Sequence, residues 1–142
     1  MSNEVPVFLL IDSDERFLLF LQNLIQSLGC DCQCASNAEE ALNLIEQFNI
    51  GKKFDAIFTD INLPNLSGLE LIKILNSSPD TLSIPKVIIS SLDKYNDILR
   101  GYSCGTDYYM TKPIDNDQLV YALDVIFQNN NAQQDRYHLQ EA

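Results

Sequence analysis

The segment Val7-Phe-Leu-Leu-Ile-Asp-Ser-Asp-Glu15 sets the pattern that the rest of the chain follows. Its first five residues are all apolar, which is typical of a parallel strand buried on both faces. Three acids and a serine come directly after them. An apolar strand that ends in polar residues is typical of an open α/β sheet, in which ligands bind outside the carboxyl ends of the strands.

Short apolar runs and amphipathic stretches alternate along the whole chain. Between the predicted strands, apolar residues recur at the spacing of helices. Five strand–helix units predict a doubly wound, mostly parallel sheet with helices on both faces. The spacing of Ser36 and Glu39 predicts a capping box at the start of the second helix, and Asp115 or Asn116 is predicted to cap the last one. The predicted strands are Val7–Ile11, Cys30–Ala35, Phe54–Thr59, Val87–Ile89 and Tyr108–Met110.

The length of 142 residues suits one domain. We place it at residues 5–128, because the chain from Gln128 onward is polar and without periodicity; residues 129–142 are predicted to be a frayed polar tail. No apolar run approaches the ~20 residues that span a bilayer. The N-terminus has no positive segment before an apolar one. We therefore expect a cytoplasmic protein without membrane insertion.

The charge of the chain argues against one class of partner. Twenty acids against nine bases give a formal charge of −11. A nucleic-acid backbone would repel such a chain, so direct nucleic-acid binding is not expected. The acidic excess fits a protein that binds a cation through clustered carboxylates.

Three of the four cysteines, Cys30, Cys32 and Cys34, alternate with polar residues, so their thiols share one face of a strand. Residues two apart on a strand lie ~6.6–6.8 Å apart, at the edge of disulfide reach. We expect buried, reduced thiols here and at Cys104.

The residues that end the predicted strands form a convergent polar set. Asp12 ends the first strand, Asp60 the third and Ser90 the fourth, and Lys112 follows the fifth. Clustered carboxylates repel each other unless a cation lies between them, and Mg²⁺ with oxygen ligands is the simplest one. A carboxylate can itself be the nucleophile and give an aspartyl phosphate. Each residue alone has a plainer interpretation, and Asp14 could simply be a helix N-cap; their agreement at four strand ends favours phosphoryl transfer.

The sequence resembles the receiver domain of two-component response regulators, in particular the stand-alone, chemotaxis-regulator-like kind. The most specific segment has an aspartate, Asp60, followed by Pro64 and Gly68 at the family's spacing. The resemblance implies the flavodoxin-like strand order 2-1-3-4-5 and runs from about Val7 to Phe127. It is carried by residues 8–15, 58–68, 85–91 and 105–113.

Carried over residue by residue, the resemblance implies that Asp60 is the phosphorylation site. Ser90 is then the switch hydroxyl, Tyr109 the aromatic that moves with it, and Lys112 the contact to the phosphoryl oxygens. The bond from Lys112 to Pro113 is often cis in this family.

The resemblance also implies a Mg²⁺ site formed by Asp12, Asp60 and the backbone carbonyl of Asn62. The side chains of Asn62 and Leu92 would tune the lifetime of the phosphate. One departure stands out, since Ser13 occupies the position of the usual acidic metal ligand. Asp14, one position further on, could compensate, although its side chain would point elsewhere. We therefore expect weakened Mg²⁺ affinity.

Two other functions remain open at this point. Asp12-Ser13-Asp14 resembles the nucleophile motif of haloacid-dehalogenase-type phosphatases, but Glu15-Arg16 follows where Gly-Thr is usual. A degenerate receiver that binds partners without phosphorylation is the nearer alternative, and Ser13 motivates it. A flavin-binding protein on the same fold is disfavoured, because no phosphate-binding loop follows the first strand.

The function that we expect is therefore a single-domain response regulator of a phosphorelay rather than an enzyme. Its phosphoryl donor would be the phosphohistidine of a sensor histidine kinase or a histidine phosphotransfer protein. Its output would be binding to a downstream protein target. Exposed apolar residues at the start of the first helix, Leu18 and Leu19 among them, are expected to dock the kinase.

Overall fold

The structure is a computed structural model that describes residues 4–48 and 51–141, with side chains described as far as Gln128. Strands and helices alternate throughout. In chain order they are β1 (Val7–Ile11), α1 (Glu15–Ser27), β2 (Asp31–Ala35), α2 (Ala38–Phe48), β3 (Ala56–Thr59), α3 (Gly68–Asn76), β4 (Lys86–Ser90), α4 (Tyr95–Ser103), β5 (Tyr108–Thr111) and α5 (Asn116–Glu141).

The five strands form one parallel sheet in the order β2-β1-β3-β4-β5, which confirms the predicted fold. The chain order reverses between β1 and β3, because β2 lies outside β1 while the later strands continue on the other side. Ile11 is paired with both Ala35 and Thr59, so the ends of β1, β2 and β3 are level. The residues that follow these strands therefore emerge at one edge of the sheet.

Each face of the sheet has its own hydrophobic core, because the central strands are apolar at consecutive positions. On one face, Phe8 and Phe58 pack against α1 and α5, with Leu21 and Leu119 fully or nearly buried. On the other face, Leu9 packs with residues of α2 and α3. Burial of each such side chain stabilises the fold by roughly 1.5–3 kcal/mol relative to its exposure.

The start of α2 differs from the prediction. The predicted capping box of Ser36 and Glu39 is wrong by one residue: the Asn37 side chain accepts a hydrogen bond from the Glu40 backbone N–H at 2.8 Å. Asparagine is as good an N-cap as serine, and a helix that begins at Ala38 buries this alanine in the core.

A capping box that was not predicted begins α3: Ser67 Oγ accepts from the Glu70 backbone N–H, and the Glu70 side chain accepts from the Ser67 backbone N–H. The predicted cap of the last helix is confirmed at Asp115, which makes the equivalent reciprocal pair with Gln118.

The last helix is longer than predicted. The polar segment from Gln128, expected to be frayed, continues α5 as far as Glu141, since its polar residues include good helix formers. The side chains of residues 129–142 lie outside the described part. The division into a domain of residues 5–128 and a tail of residues 129–142 stays a prediction.

The four cysteines are free thiols, as expected, but each is half-buried rather than buried. Cys32 and Cys34 lie in the edge strand β2 and Cys30 directly precedes it, and all three pack against the α1–α5 core. Burial raises the pKa of the Cys32 thiol to about 11. At neutral pH this thiol is therefore protonated and a poor nucleophile.

Within residues 4–48 and 51–141, no helix has the length and apolar character needed to cross a membrane.

Candidate functional site

Four strand ends meet at the carboxyl edge of the sheet. Asp12 and Asp60 follow β1 and β3, and the Asp60 backbone N–H donates to the Ile11 carbonyl at 3.0 Å. The Lys112 backbone N–H donates to the Ser90 carbonyl at 2.8 Å, which ties the end of β5 to that of β4. The peptide bond from Lys112 to Pro113 is cis. Parallel strands with level ends thus place residues that are far apart in the sequence side by side.

Lys112 bridges the two carboxylates. Its Nζ lies 2.7 Å from Asp12 Oδ2 and 3.2 Å from Asp60 Oδ2. Asp12 and Asp60 are both buried, and like charges so placed need a counter-charge. The ammonium supplies that charge in this structure.

The remaining oxygens of the two carboxylates accept backbone hydrogen bonds. Asp12 Oδ1 accepts from the Asp14 N–H at 2.8 Å, and Asp60 Oδ1 accepts from the Ile61 N–H at 2.7 Å. Each carboxylate is therefore held in one orientation. Asp60 Oδ2 contacts Lys112, which also contacts Asp12 at the end of β1.

Burial and neighbouring charges have opposite effects on the pKa values of Asp12 and Lys112. Burial raises the pKa of Asp12 above its ordinary value, although the hydrogen bond and charge of Lys112 oppose the shift. Burial alone would lower the pKa of Lys112, but its hydrogen bond to Asp12 and the charges of both carboxylates raise it. Lys112 is therefore firmly cationic at neutral pH.

Ser90, Leu92 and Tyr109 form a second group beside this bridge. The Leu92 N–H donates to Ser90 Oγ at 3.1 Å, and the Tyr109 hydroxyl donates to the Leu92 carbonyl at 2.5 Å. Tyr109 is buried, and burial raises the pKa of its hydroxyl. The loop after β4 is thus joined through its backbone to the predicted switch hydroxyl and to the predicted switch aromatic.

Of the two roles predicted for Asp14, the structure shows that of a helix N-cap. It is the N-cap of α1, and its Oδ1 accepts from the backbone N–H groups of Arg16 and Phe17 at 2.9 and 3.3 Å. This leaves Ser13 as the side chain beside the predicted metal position. Ser13 is exposed, and its Oγ lies 3.5 Å from the backbone carbonyl oxygen of Asn62.

The oxygen atoms at this site suit Mg²⁺, but the neutral Ser13 leaves them with less negative charge than an acid at that position would supply. Asp12, Asp60 and the Asn62 carbonyl supply the oxygen ligands that Mg²⁺ prefers, and this ion usually keeps several waters. Within residues 4–48 and 51–128, no three acidic, histidine or cysteine side chains are close enough to hold a metal by themselves. That agrees with a neutral hydroxyl at position 13 in place of the usual acid.

Two contacts at the site were not predicted from the sequence. The ring of Phe17 lies over Lys112, with Nζ 4.2 Å from the ring centroid. Gly68 packs so closely on the Asp60 backbone that a Cβ there would overlap the Asp60 carbonyl oxygen. From its spacing in the first helix, Phe17 is predicted only to be a core residue. The motif includes Gly68, but the sequence gives no physical reason for a glycine there.

Comparisons with known proteins agree with this geometry. Residues 8–124 match the family described as the response regulator receiver domain. The chain belongs to this family, whose members act in two-component signalling and generally bind Mg²⁺ at the phosphorylation site. The assignment replaces the phosphatase and flavin-binding alternatives.

Named relatives are similar over most of this chain. The heme response regulator HssR of Staphylococcus saprophyticus is 28% identical over 123 residues, which are 87% of this chain and 52% of that protein. The chain thus spans about half the length of the curated relatives it matches. The receiver domain of Francisella response regulator 1452 has a TM-score of 0.76 at 30% identity, covering 87% of this chain and 98% of that one. Chemotaxis protein CheY4 of Vibrio cholerae shares the fold, with a TM-score of 0.78 at 20% identity. The match covers 87% of this chain and 99% of that one.

Proposed function

We propose that this chain accepts a phosphoryl group on Asp60 from the phosphohistidine of a sensor kinase or phosphotransfer protein. It then signals by changing its contacts with a downstream protein. The observation that carries the proposal is the buried Asp60 carboxylate, fixed by the Ile61 N–H and facing Asp12 across the Lys112 ammonium.

The transfer is a substitution at phosphorus. A carboxylate oxygen of Asp60 forms the new P–O bond, the P–N bond to the donor histidine breaks, and the imidazole keeps that electron pair and takes up a proton. Lys112 would then contact the phosphoryl oxygens, and Ser90 would turn toward them. Asp12, Asp60 and the Asn62 carbonyl would hold Mg²⁺, which supplies neutralising charge when bound.

The signal would pass from the site to the surface through Ser90 and Tyr109. The phosphoryl group adds negative charge at the strand ends, and a shift of Ser90 disturbs the Leu92 loop to which Tyr109 is bonded. Such a change biases an equilibrium between two conformations. The face formed by α4, β5 and α5 borders Tyr109, and it exposes the aromatic residues Tyr95, Tyr102 and Tyr121.

The phosphoryl donor would dock on α1. Leu18, which we expected to be exposed there, is buried in the core because it faces the sheet. Leu19 and Phe20 are 59% and 42% exposed, so they are the apolar residues available to a partner.

Intact mass after incubation with acetyl phosphate tests the function without a partner protein. We expect a gain of one phosphoryl group that depends on Mg²⁺ and is absent in Asp60→Asn, which keeps the shape but lacks the nucleophile. Asp31→Asn is the matched control, because Asp31 is exposed at the start of β2, at the opposite edge of the sheet.

Ser13 favours a second candidate function, a receiver that binds partners without phosphorylation. Absence of any mass gain over a wide range of Mg²⁺ and Mn²⁺ concentrations would contradict the first proposal and favour this one. A gain that persists in Asp60→Asn would show that another residue is the acceptor.

A further inference from the structure

The Lys112 ammonium is held by an aromatic ring as well as by two carboxylates. Phe17, in the first turn of α1, places its ring centroid 4.2 Å from Nζ. Asp12 and Asp60 contact the same nitrogen at 2.7 and 3.2 Å. A cation over the face of an aromatic ring at this distance is attracted by the ring quadrupole.

The surroundings of this contact strengthen it. Phe17, Phe20, Pro113 and Ile114 line an apolar hollow of about 450 Å³ beside Lys112. The Phe17 and Phe20 rings also contact each other, with centroids 5.9 Å apart. Only 18% of the Lys112 side chain is exposed, and cation–π attraction increases as the cation loses water.

The contact matters because lysine is a point charge on a flexible stem. Of its three partners, Asp60 is the one that phosphorylation converts from a carboxylate into an acyl phosphate. Asp12 and Phe17 keep their chemical identity throughout. The ring can therefore make the same contact with the ammonium before, during and after phosphoryl transfer.

We propose that Phe17 is a positioning residue for Lys112, whose ring holds the ammonium over the Asp12–Asp60 pair and thereby sets the rate at which Asp60 accepts a phosphoryl group. This inference rests on the proposed function for its kinetic part only. The position of Lys112 can be measured whether or not Asp60 is phosphorylated.

The experiment compares Phe17→Leu, which keeps an apolar side chain without a quadrupole, with Phe17→Tyr, which keeps the ring. Phe127→Leu is the matched control, since Phe127 packs against the same core as Phe17, but its ring contacts Phe8 rather than Lys112. Two quantities are measured: the rate of mass gain with acetyl phosphate, and the NMR order parameter of the Lys112 side-chain Cε, which reports how firmly the ammonium is held. Acetyl phosphate needs no docking on α1, so partner binding does not enter.

We expect Phe17→Leu to slow phosphorylation about three- to tenfold and to lower the order parameter of Lys112 Cε, because a contact that holds the ammonium is lost. Phe17→Tyr should stay within about twofold of the wild type, as should Phe127→Leu. Circular dichroism checks folding, and Phe17→Met is the substitute if the leucine variant unfolds.

Wild-type values for Phe17→Leu in both measurements would overturn the proposal. So would a tyrosine variant as impaired as the leucine variant, since that result would assign the effect to packing alone. If the wild type accepts no phosphoryl group, the proposed function fails, and the Lys112 order parameter still decides whether Phe17 positions Lys112.

Discussion

The α-carbon of Gly68 lies directly against the backbone carbonyl of Asp60. A Cβ at position 68 would overlap that oxygen, and it would also lie 2.9 Å from the Asp60 carbonyl carbon. The Gly68 N–H donates to the neighbouring Ile61 carbonyl at 2.9 Å, so the start of α3 is fixed to the segment that carries the candidate phosphorylation site. Only a residue without a side chain permits this contact.

We therefore predict that Gly68→Ala displaces the Asp60 backbone. The free energy of unfolding should fall by about 1–3 kcal/mol, as for other overpacked sites, and phosphorylation by acetyl phosphate should slow. Urea denaturation and intact-mass kinetics measure the two effects. The control is Ser67→Ala, which removes the α3 cap at a cost of about 1 kcal/mol but leaves Asp60 in place. Equal phosphorylation rates for the wild type and Gly68→Ala would contradict this relation.

Ser13→Asp should strengthen Mg²⁺ binding. The Ser13 hydroxyl already lies beside the Asn62 carbonyl, so a carboxylate there would join the predicted ligands. An added unit charge about 4 Å from the ion contributes roughly 1 kcal/mol or more, which is about fivefold or more in affinity. Calorimetric titration of the wild type, Ser13→Asp and Ser13→Asn separates charge from size. The prediction fails if aspartate and asparagine variants bind the ion equally.

Lys86 should make the stability of the fold depend on alkaline pH. It is buried, and its Nζ donates to the Thr81 and Leu82 carbonyls at 2.6 and 3.1 Å. Burial lowers its pKa from an ordinary 10.5 to about 8, although the charge of Asp107 opposes the shift. Between these values the unfolded chain binds the extra proton, so this residue makes stability rise with pH, by at most about 1.4 kcal/mol per pH unit.

Urea denaturation at several pH values from 7 to 10.5 measures this contribution. Cys32 and Tyr108 have raised pKa values and act with the opposite sign, so the comparison is between the wild type and Lys86→Met. The difference in stability should shift in favour of the wild type as the pH rises above 8. Ile84→Val, a change at a buried residue that does not titrate, is the control and should show no such trend. A constant difference would show that Lys86 does not titrate in this range.

Gly101→Ala should expel the Tyr109 ring from its buried position. A Cβ at position 101 would lie 2.8 Å from Tyr109 Cδ2 and 3.0 Å from Ile88 Cδ1. Relief of this overlap breaks the hydrogen bond from Tyr109 to the Leu92 carbonyl, and the cost should be about 1–3 kcal/mol. NMR of ring-labelled tyrosine, with Tyr109→Phe for assignment, reports the move. Ser103→Ala, an exposed change on the same helix, should leave the ring signal unaltered.

The sequence by itself determined the fold class and the positions of the candidate site. A strand buried on both faces must be apolar at consecutive positions, and Val7–Ile11 shows this without any tertiary information. In a parallel sheet the residues after each strand must meet at one edge, so Asp12, Asp60 and Lys112 could be grouped from their places in the chain. The resemblance to receiver domains also predicts that Ser13 occupies the position of their usual acidic metal ligand.

Only the tertiary structure decided which groups touch. Lys112 and Asp12 are a hundred residues apart in the chain, and their contact depends on how the strand ends are aligned. The Phe17 ring over Lys112 and the fit of Gly68 on Asp60 are likewise set by helices packing on a sheet. Periodicity and capping spacing report on a few neighbouring residues, whereas these distances result from the packing of the whole core.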